Sequence, residues 1–149
     1  MAIESEIRSN FKDEYHKALV NLIYTHNYLL DRMNEKFKEY DVTRQQFNVL
    51  RILAGQYPKP TQINIIRDRM LDKMSDASRI VDRLLKKGLI EKKSSDIDRR
   101  SVEIVISDSG MNLLEKFRPV SDSFNDMLSN LNEEEASTLN TLLDKIRVE

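Results

Sequence analysis

The 149-residue chain contains no cysteine and no tryptophan, and it holds only three glycines and three prolines. The lack of cysteine excludes disulfides, thiolate metal sites and a thiol-oxidation switch. No apolar run approaches the roughly 18 residues of a membrane span, and there is no apolar signal-peptide core. The expected location is therefore the cytoplasm, with no membrane partner. The marks of enzymology are missing as well. There is no glycine-rich phosphate loop, no nucleophile elbow and no acid/base pair. His16 and His26 stand without the clustered carboxylates that a metal site would need. No cofactor, no metal and no enzymatic activity are expected.

What the chain does have is helical periodicity and unevenly placed charge. Apolar residues make up 40% and charged residues 33% of the sequence, the balance of a soluble, helix-rich protein. Its length allows one domain, or one domain plus an oligomerisation lobe. The formal net charge of −1 hides an asymmetry. Residues 67–100 carry 11 basic and 7 acidic side chains, and residues 41–66 carry 3 and 1, whereas residues 101–149 carry 4 and 10. Positive charge is thus concentrated mid-chain, as a polyanionic partner would require. A solvated, salt-bridged surface is the plainer meaning of the same split.

The positive region contains DKMSDASRIVDRLLKKGLIEKKSSDIDRRSVEIVIS, residues 72–107. Ala77, Ile80, Val81, Leu84 and Leu85 fall at the spacing of one helix face, opposite Ser75, Asp76, Ser78, Arg79, Asp82, Arg83 and Lys86. Gly88 follows the last basic residues, where a helix favours a left-handed C-cap. Two β-prone runs come next, Leu89–Lys93 and Ser101–Ile106, joined by the basic turn SSDIDRR. In the second run Val102, Ile104 and Ile106 alternate with Ser101, Glu103 and Val105, the last breaking the polar series. A small-polar and basic helix followed by a basic-tipped hairpin reads as a winged helix-turn-helix, with the helix as a major-groove probe and the hairpin as the wing.

Upstream, an apolar stripe from Ile3 to Phe37 runs without glycine or proline and predicts one helix from about Ser5 to Tyr40. At about 1.5 Å per residue it would extend roughly 54 Å, longer than a small core needs, so a second subunit is expected against it. Thr43 and Gln46 form a capping box for the next helix, which carries Phe47, Val49, Leu50, Ile52 and Leu53 and ends at Gly55. After the loop QYPKP, Thr61 is expected to cap a helix reaching about Met70. Beyond the wing, Ser107 caps a long helix with Pro119 within it, and Asn132 caps a last one whose Leu139, Leu142, Leu143 and Ile146 are expected to face a core. The expected order is α-α-α-α-β-β-α-α: mostly α with a small β-hairpin. Residues 41–110 are read as a DNA-binding lobe, and residues 1–40 with 111–149 as a helical dimerisation lobe, in one continuous domain.

The segments TRQQFNVLRIL, SRIVDRLLKKGLIEK and DIDRRSVEIVIS followed by SDSG, in this order and spacing, resemble the MarR family of prokaryotic transcription regulators from Thr43 to about Lys116. Asp98-Arg99-Arg100, ten residues past Gly88, is similar to that family's wing signature of Asp, any residue, Arg. The resemblance implies a homodimer with interlocking termini that binds double-stranded DNA. Relatives bind small aromatic anions between two lobes, and the resemblance offers Tyr24, His26 and Tyr28 as candidates for such an effector pocket; core and dimer packing is the other role open to them.

Chemistry assigns the remaining contacts. Ser75, Asp76, Ser78 and Arg79 lie at the probe end that enters the groove first, with Arg79 suited to guanine N7 and O6 and Asp76 to a cytosine amino group. Asp76 is acidic where related proteins more often carry a neutral residue, and it should weaken non-specific binding. Arg100 suits an A·T-rich minor groove, Asp98 can hold its guanidinium, and Arg99 suits phosphate. Lys59, Thr61 and Lys73 are further phosphate candidates, with mere solvation as the alternative. The expectation is a sequence-specific transcription regulator, a repressor of a pseudo-palindromic operator relieved by a small aromatic or anionic effector. The rivals are a winged-helix protein-interaction module without DNA binding and a non-specific chromosome-coating protein. The two wing arginines disfavour the first, and Asp76 with the net charge disfavours the second.

Overall fold

A computed structural model describes residues 2–8, 10–94 and 102–148. The chain begins with α1 (Ile3–Ile7) and α2 (Glu14–Lys38), and this replaces the single long helix expected from the apolar stripe. The break has two causes. Arg8 takes a left-handed conformation with φ of 48°, and Asp13 acts as N-cap of α2, its carboxylate accepting the His16 N–H at 2.8 Å. Asp41, with φ of 52°, then turns the chain into α3 (Arg44–Gln56), whose Thr43–Gln46 capping box is formed in both directions at 3.1 Å.

Thr61 does not cap the following helix. Thr61–Gln62 form a short strand, β1, antiparallel to β3 (Val102–Ile106), with Thr61 opposite Ile104. Gln62 is the N-cap of α4 (Ile63–Arg69), which is followed by α5 (Ala77–Lys86) and β2 (Ile90–Ser94). The sheet order is β1-β3-β2, so the hairpin gains a third strand that local periodicity in two residues could not announce. Within β3 the burial departs from strict alternation: Ile104, Val105 and Ile106 are all buried, while Val102 is exposed.

The main core brings α3, α4, α5, β2 and β3 together around Val49, Leu50, Leu53, Ile66, Leu84 and Ile104. Gly88 takes the expected positive φ of 69°, which turns the chain from α5 into β2. Ser107 caps α6 (Asp108–Ser123), accepting the Gly110 N–H at 3.1 Å, while its hydroxyl donates to the Gly88 carbonyl at 2.7 Å. One serine therefore ties the end of the probe helix to the start of α6. A second core joins α2, α3 and α6. Phe37 and Phe117 stack with ring centroids 4.7 Å apart, and Phe47 sits 4.6 Å from Phe117.

After a 3₁₀ turn (Phe124–Leu128), Asn132 and Glu135 cap α7 (Glu133–Ile146). No residue of α7 is buried. Leu139, Leu142 and Ile146 are exposed and Leu143 is half-buried, so none of the four is part of a core among the described residues. On α2, Tyr15, Leu19 and Ile23 are likewise exposed. Among the described residues no helix is long and apolar enough to cross a membrane.

Candidate nucleic-acid interface

α5 is amphipathic by placement. Ala77, Val81 and Leu84 are buried, so Ser78, Arg79, Asp82, Arg83 and Lys86 are left on the open face. Arg79 and Arg83 are one turn apart and therefore neighbours on that face, and neither forms an ion pair among the described residues. Arg83 was not singled out as a contact from sequence; its i, i+4 relation to Arg79 was the signal that could have found it.

Asp76 has a structural duty. It is the N-cap of α5, and its Oδ1 accepts the Arg79 backbone N–H at 3.0 Å. That occupies one carboxylate oxygen and fixes the first turn of the probe, so a base-reading role has to share the group with the cap. Ser75 is half-buried and hydrogen-bonds Asp72, which draws it toward the turn beneath the probe.

Asp72 is the residue that sequence reasoning missed. Its Oδ1 accepts the Met74 N–H at 3.1 Å, and Gln45 and Arg44 of α3 approach its other oxygen at 3.5 and 3.9 Å. The Met74 amide first, then the Ser75 hydroxyl, Gln45 and Arg44, hold its carboxyl below the ordinary range. Nearby, Asn48 of α3 accepts the Leu71 N–H at 2.9 Å. The turn between α4 and α5 is therefore pinned to α3 from below at two points. An Asx-type turn at Asp72 was the available signal.

The phosphate candidates divide. Lys59 is exposed in the loop before β1. Lys73 is exposed too, but its ammonium donates to the Asp68 carbonyl. Thr61 is buried in β1 at 5% exposure, which removes its side chain from phosphate contact. Asp98, Arg99 and Arg100 lie outside the described residues.

The effector candidates also divide. A groove of about 670 Å³ lies between α1 and α2, lined in part by Glu4, Glu6, Lys17, Tyr24 and Tyr28 but not by His26. It is therefore not the cleft between two lobes expected from the resemblance. Tyr24 donates to the Glu6 carboxylate at 3.0 Å, and this hydrogen bond raises the phenol's pKa. Lys17 pairs with Glu4 at 2.6 Å. A smaller cleft, about 240 Å³, lies at the junction of the two cores, against Tyr40, Asp41, Val42, Lys87, Leu89 and Leu113. Lys87 bridges it, 3.2 Å from the Asp41 carboxylate. Among the described residues no cluster of potential metal ligands occurs.

Comparison with known proteins agrees with this geometry. A MarR family model matches residues 42–102. The multiple antibiotic resistance protein MarR of Salmonella typhimurium is 33% identical over 132 residues, covering 86% of this chain and 90% of that protein. The HTH-type transcriptional regulator MgrA of Staphylococcus aureus is 31% identical over 116 residues, covering 76% and 75%. Among solved structures, a cysteine-to-serine mutant of MarR from E. coli complexed with operator DNA superposes with a TM-score of 0.77 at 27% identity, covering 94% of this chain and all of that one.

Proposed function

Because the chain belongs to the MarR family of transcription regulators, we propose that it acts as a homodimeric repressor that reads a pseudo-palindromic operator through one α5 per half-site. As a member of that family it is a regulator of transcription and not an enzyme. The observation that carries the DNA-binding reading is the open basic face of α5, where Arg79 and Arg83 form no ion pair among the described residues, beside a turn that α3 holds fixed. A rigid, exposed cationic helix face is what a major groove accepts. Arg79 is the base-reading residue, Ser78 flanks it, and Asp76 and Ser75 organise the helix start. Lys59 and Lys73 serve phosphates. Asp98, Arg99 and Arg100 form the wing tip, by the reading of the sequence alone.

The dimer is supported by apolar surface that the single chain leaves in water. Tyr15 is 88% exposed, Leu19 57%, Leu142 54% and Ile146 64%, all on α2 or α7. Such a surface on two helices calls for burial against a second copy. On this reading residues 1–40 and 111–149 form the dimerisation lobe and residues 41–110 the DNA-binding lobe. A small aromatic or anionic effector would stack on Tyr24 and Tyr28 in the α1–α2 groove; an anion there has to displace Glu4 from Lys17. The protein works in the cytoplasm, where its DNA is.

The test combines two measurements on the full chain. Light scattering should give twice the 17.5 kDa protomer mass. Fluorescence anisotropy at fixed salt should show a selected duplex bound at least about 10³-fold more tightly than random DNA. A stable folded monomer, or equal affinity for both duplexes, would overturn the reading.

A further inference from the structure

The turn that leads into α5 carries two large apolar side chains in water. Met74 is 94% exposed and Leu71 is 81% exposed, the most open apolar side chains between α3 and α6 among the described residues. Their exposure does not come from a loose loop. The Leu71 amide donates to Asn48 of α3, and the Met74 amide donates to Asp72, itself within reach of Arg44 and Gln45. The backbone faces inward at both residues, and the side chains are left outside.

Position and charge identify what should cover them. Met74 lies two residues before Asp76, the N-cap of α5, at the end of the probe that enters a groove first. Arg67, Arg69, Lys73 and Arg79 surround the pair in sequence and are exposed, with Asp68, Asp72 and Asp76 interleaved, so the segment is only slightly positive. The slight positive balance suits phosphates, and on the reading of α5 as the probe this end of the helix meets a groove, so the occupant is a base-pair edge. In the major groove the one apolar group that base pairs offer is the C5 methyl of thymine. Methionine is unbranched and adaptable, suited to reach such a methyl.

We propose that Met74, flanked by Leu71, reads a thymine methyl in each half-site and so adds an apolar specificity contact to the polar one from Arg79. The proposal rests on the DNA-binding reading of α5 given above. Burial of one methyl against Met74 corresponds to about a fourfold gain in affinity, and two half-sites to about fifteenfold.

The experiment uses the 149-residue chain and a duplex recovered from a randomised library by repeated selection on it. Thymines of the recovered consensus are replaced one symmetric pair at a time by deoxyuridine, which removes only the methyl, and affinity is read by anisotropy at one salt concentration. One pair should weaken wild-type binding about fifteenfold. Met74→Ser should bind the thymine and uracil duplexes alike, near the wild-type affinity for the uracil duplex, and Met74→Leu should keep the discrimination. Both substitutions are at an exposed position, and circular dichroism checks that fold is retained. If no thymine is sensitive in the wild type, or if Met74→Ser keeps the full sensitivity, the methyl contact is refuted while DNA binding stands. If the library yields no common sequence at all, the DNA-binding reading falls and the methyl contact with it.

Discussion

Asp76 is the position where stability and DNA binding pull in opposite directions, and substitutions there separate the two. The carboxylate caps α5 through the 3.0 Å bond from the Arg79 N–H, so Asp76→Ala leaves that amide to water. A lost N-cap costs about 1 kcal/mol, within a range of about 0.5–2. The exposed setting of Asp76 places the value in the lower half. Fraying should stop at the first turn, because Ala77, Val81 and Leu84 hold the rest of α5 in the core. Asp76→Ser keeps a side-chain oxygen and loses only the charge–dipole part, so it should stay within about 0.5 kcal/mol of wild type. On DNA both variants gain. One charge about 8 Å from a phosphate, in water and screened by salt, is worth about 0.2 kcal/mol, and two or three phosphates give about a twofold tightening on random duplex. Urea denaturation at fixed protomer concentration measures the first effect, since unfolding of a dimer depends on concentration; anisotropy on random duplex measures the second. If Asp76→Ser loses as much stability as Asp76→Ala, the cap is not what Asp76 supplies. If Asp76→Ser fails to tighten binding to random DNA, the charge argument is wrong.

Four further outcomes are expected. Gly110→Ala should destabilise by about 1–3 kcal/mol, because a Cβ there would sit 2.2 Å from the Leu89 carbonyl oxygen; Gly55→Ala, with open space around it, should stabilise in the same urea titration. Asp72 has its carboxyl held below the ordinary value, so its contribution to stability is complete above about pH 4 and is lost as pH falls through the lowered pKa. Asp72→Asn should therefore lower stability at pH 7 and flatten the acid limb of a thermal-melt pH series. Arg79→Ala should cost about 1–3 kcal/mol on the selected duplex and little on random DNA, whereas Lys59→Ala should weaken both alike and reduce the salt slope by about one; equal losses for Arg79→Ala on both duplexes would remove its base-reading role. Asp98→Ala should weaken operator binding despite removing an acid, and should add less than its full effect to Arg100→Ala, because the two are proposed to act as one unit; tighter binding by a folded Asp98→Ala would leave Asp98 an ordinary surface acid.

The parts legible in the sequence were those written in local chemistry. The Thr43–Gln46 capping box, the Ser107 and Asn132 caps and the buried stripe of α5 follow from residues three or four apart, the positive φ at Gly88 from a glycine at a helix end, and each is present. The misread parts lay in distant pairing or in backbone turns that apolar periodicity does not register. Thr61 looked like a helix cap because threonine before an apolar run usually is one, but pairing with Ile104, 43 positions away, drew it into a strand. The α1–α2 break was hidden because apolar periodicity continues through it, and Arg8 supplied a left-handed turn without glycine. Asn48 bonds the Leu71 amide 23 positions away, which no local pattern reveals, whereas Asp72 carries an Asx-turn signal for the Met74 amide that an apolar-periodicity reading passes over.

The two cores suggest how dimer geometry reaches the probe. Half-site spacing is set by the distance between the two α5 helices, and in the proposed dimer that distance depends on how firmly α2 is fixed to α5. Two connections of different character run between them. Phe117 of α6 stacks on Phe37 of α2 and touches Phe47 of α3, and the other side of α3 packs on α5; this path is closely packed, so a shift at one end is expected to be passed on. The second is the bond between Lys87, just past the end of α5, and Asp41, just past the end of α2. Lys87 also donates to the Asp41 carbonyl, but the carboxylate is exposed, so the charge part of the contact is weak and open to screening. The aromatic path can hold the register of the two probes, while the ion pair can restrain little more than the rotation of α5 about that joint. A molecule that shifts α2 by repacking the aromatic joint would thus move both probes together, and one that only displaced Lys87 from Asp41 would leave their spacing unchanged.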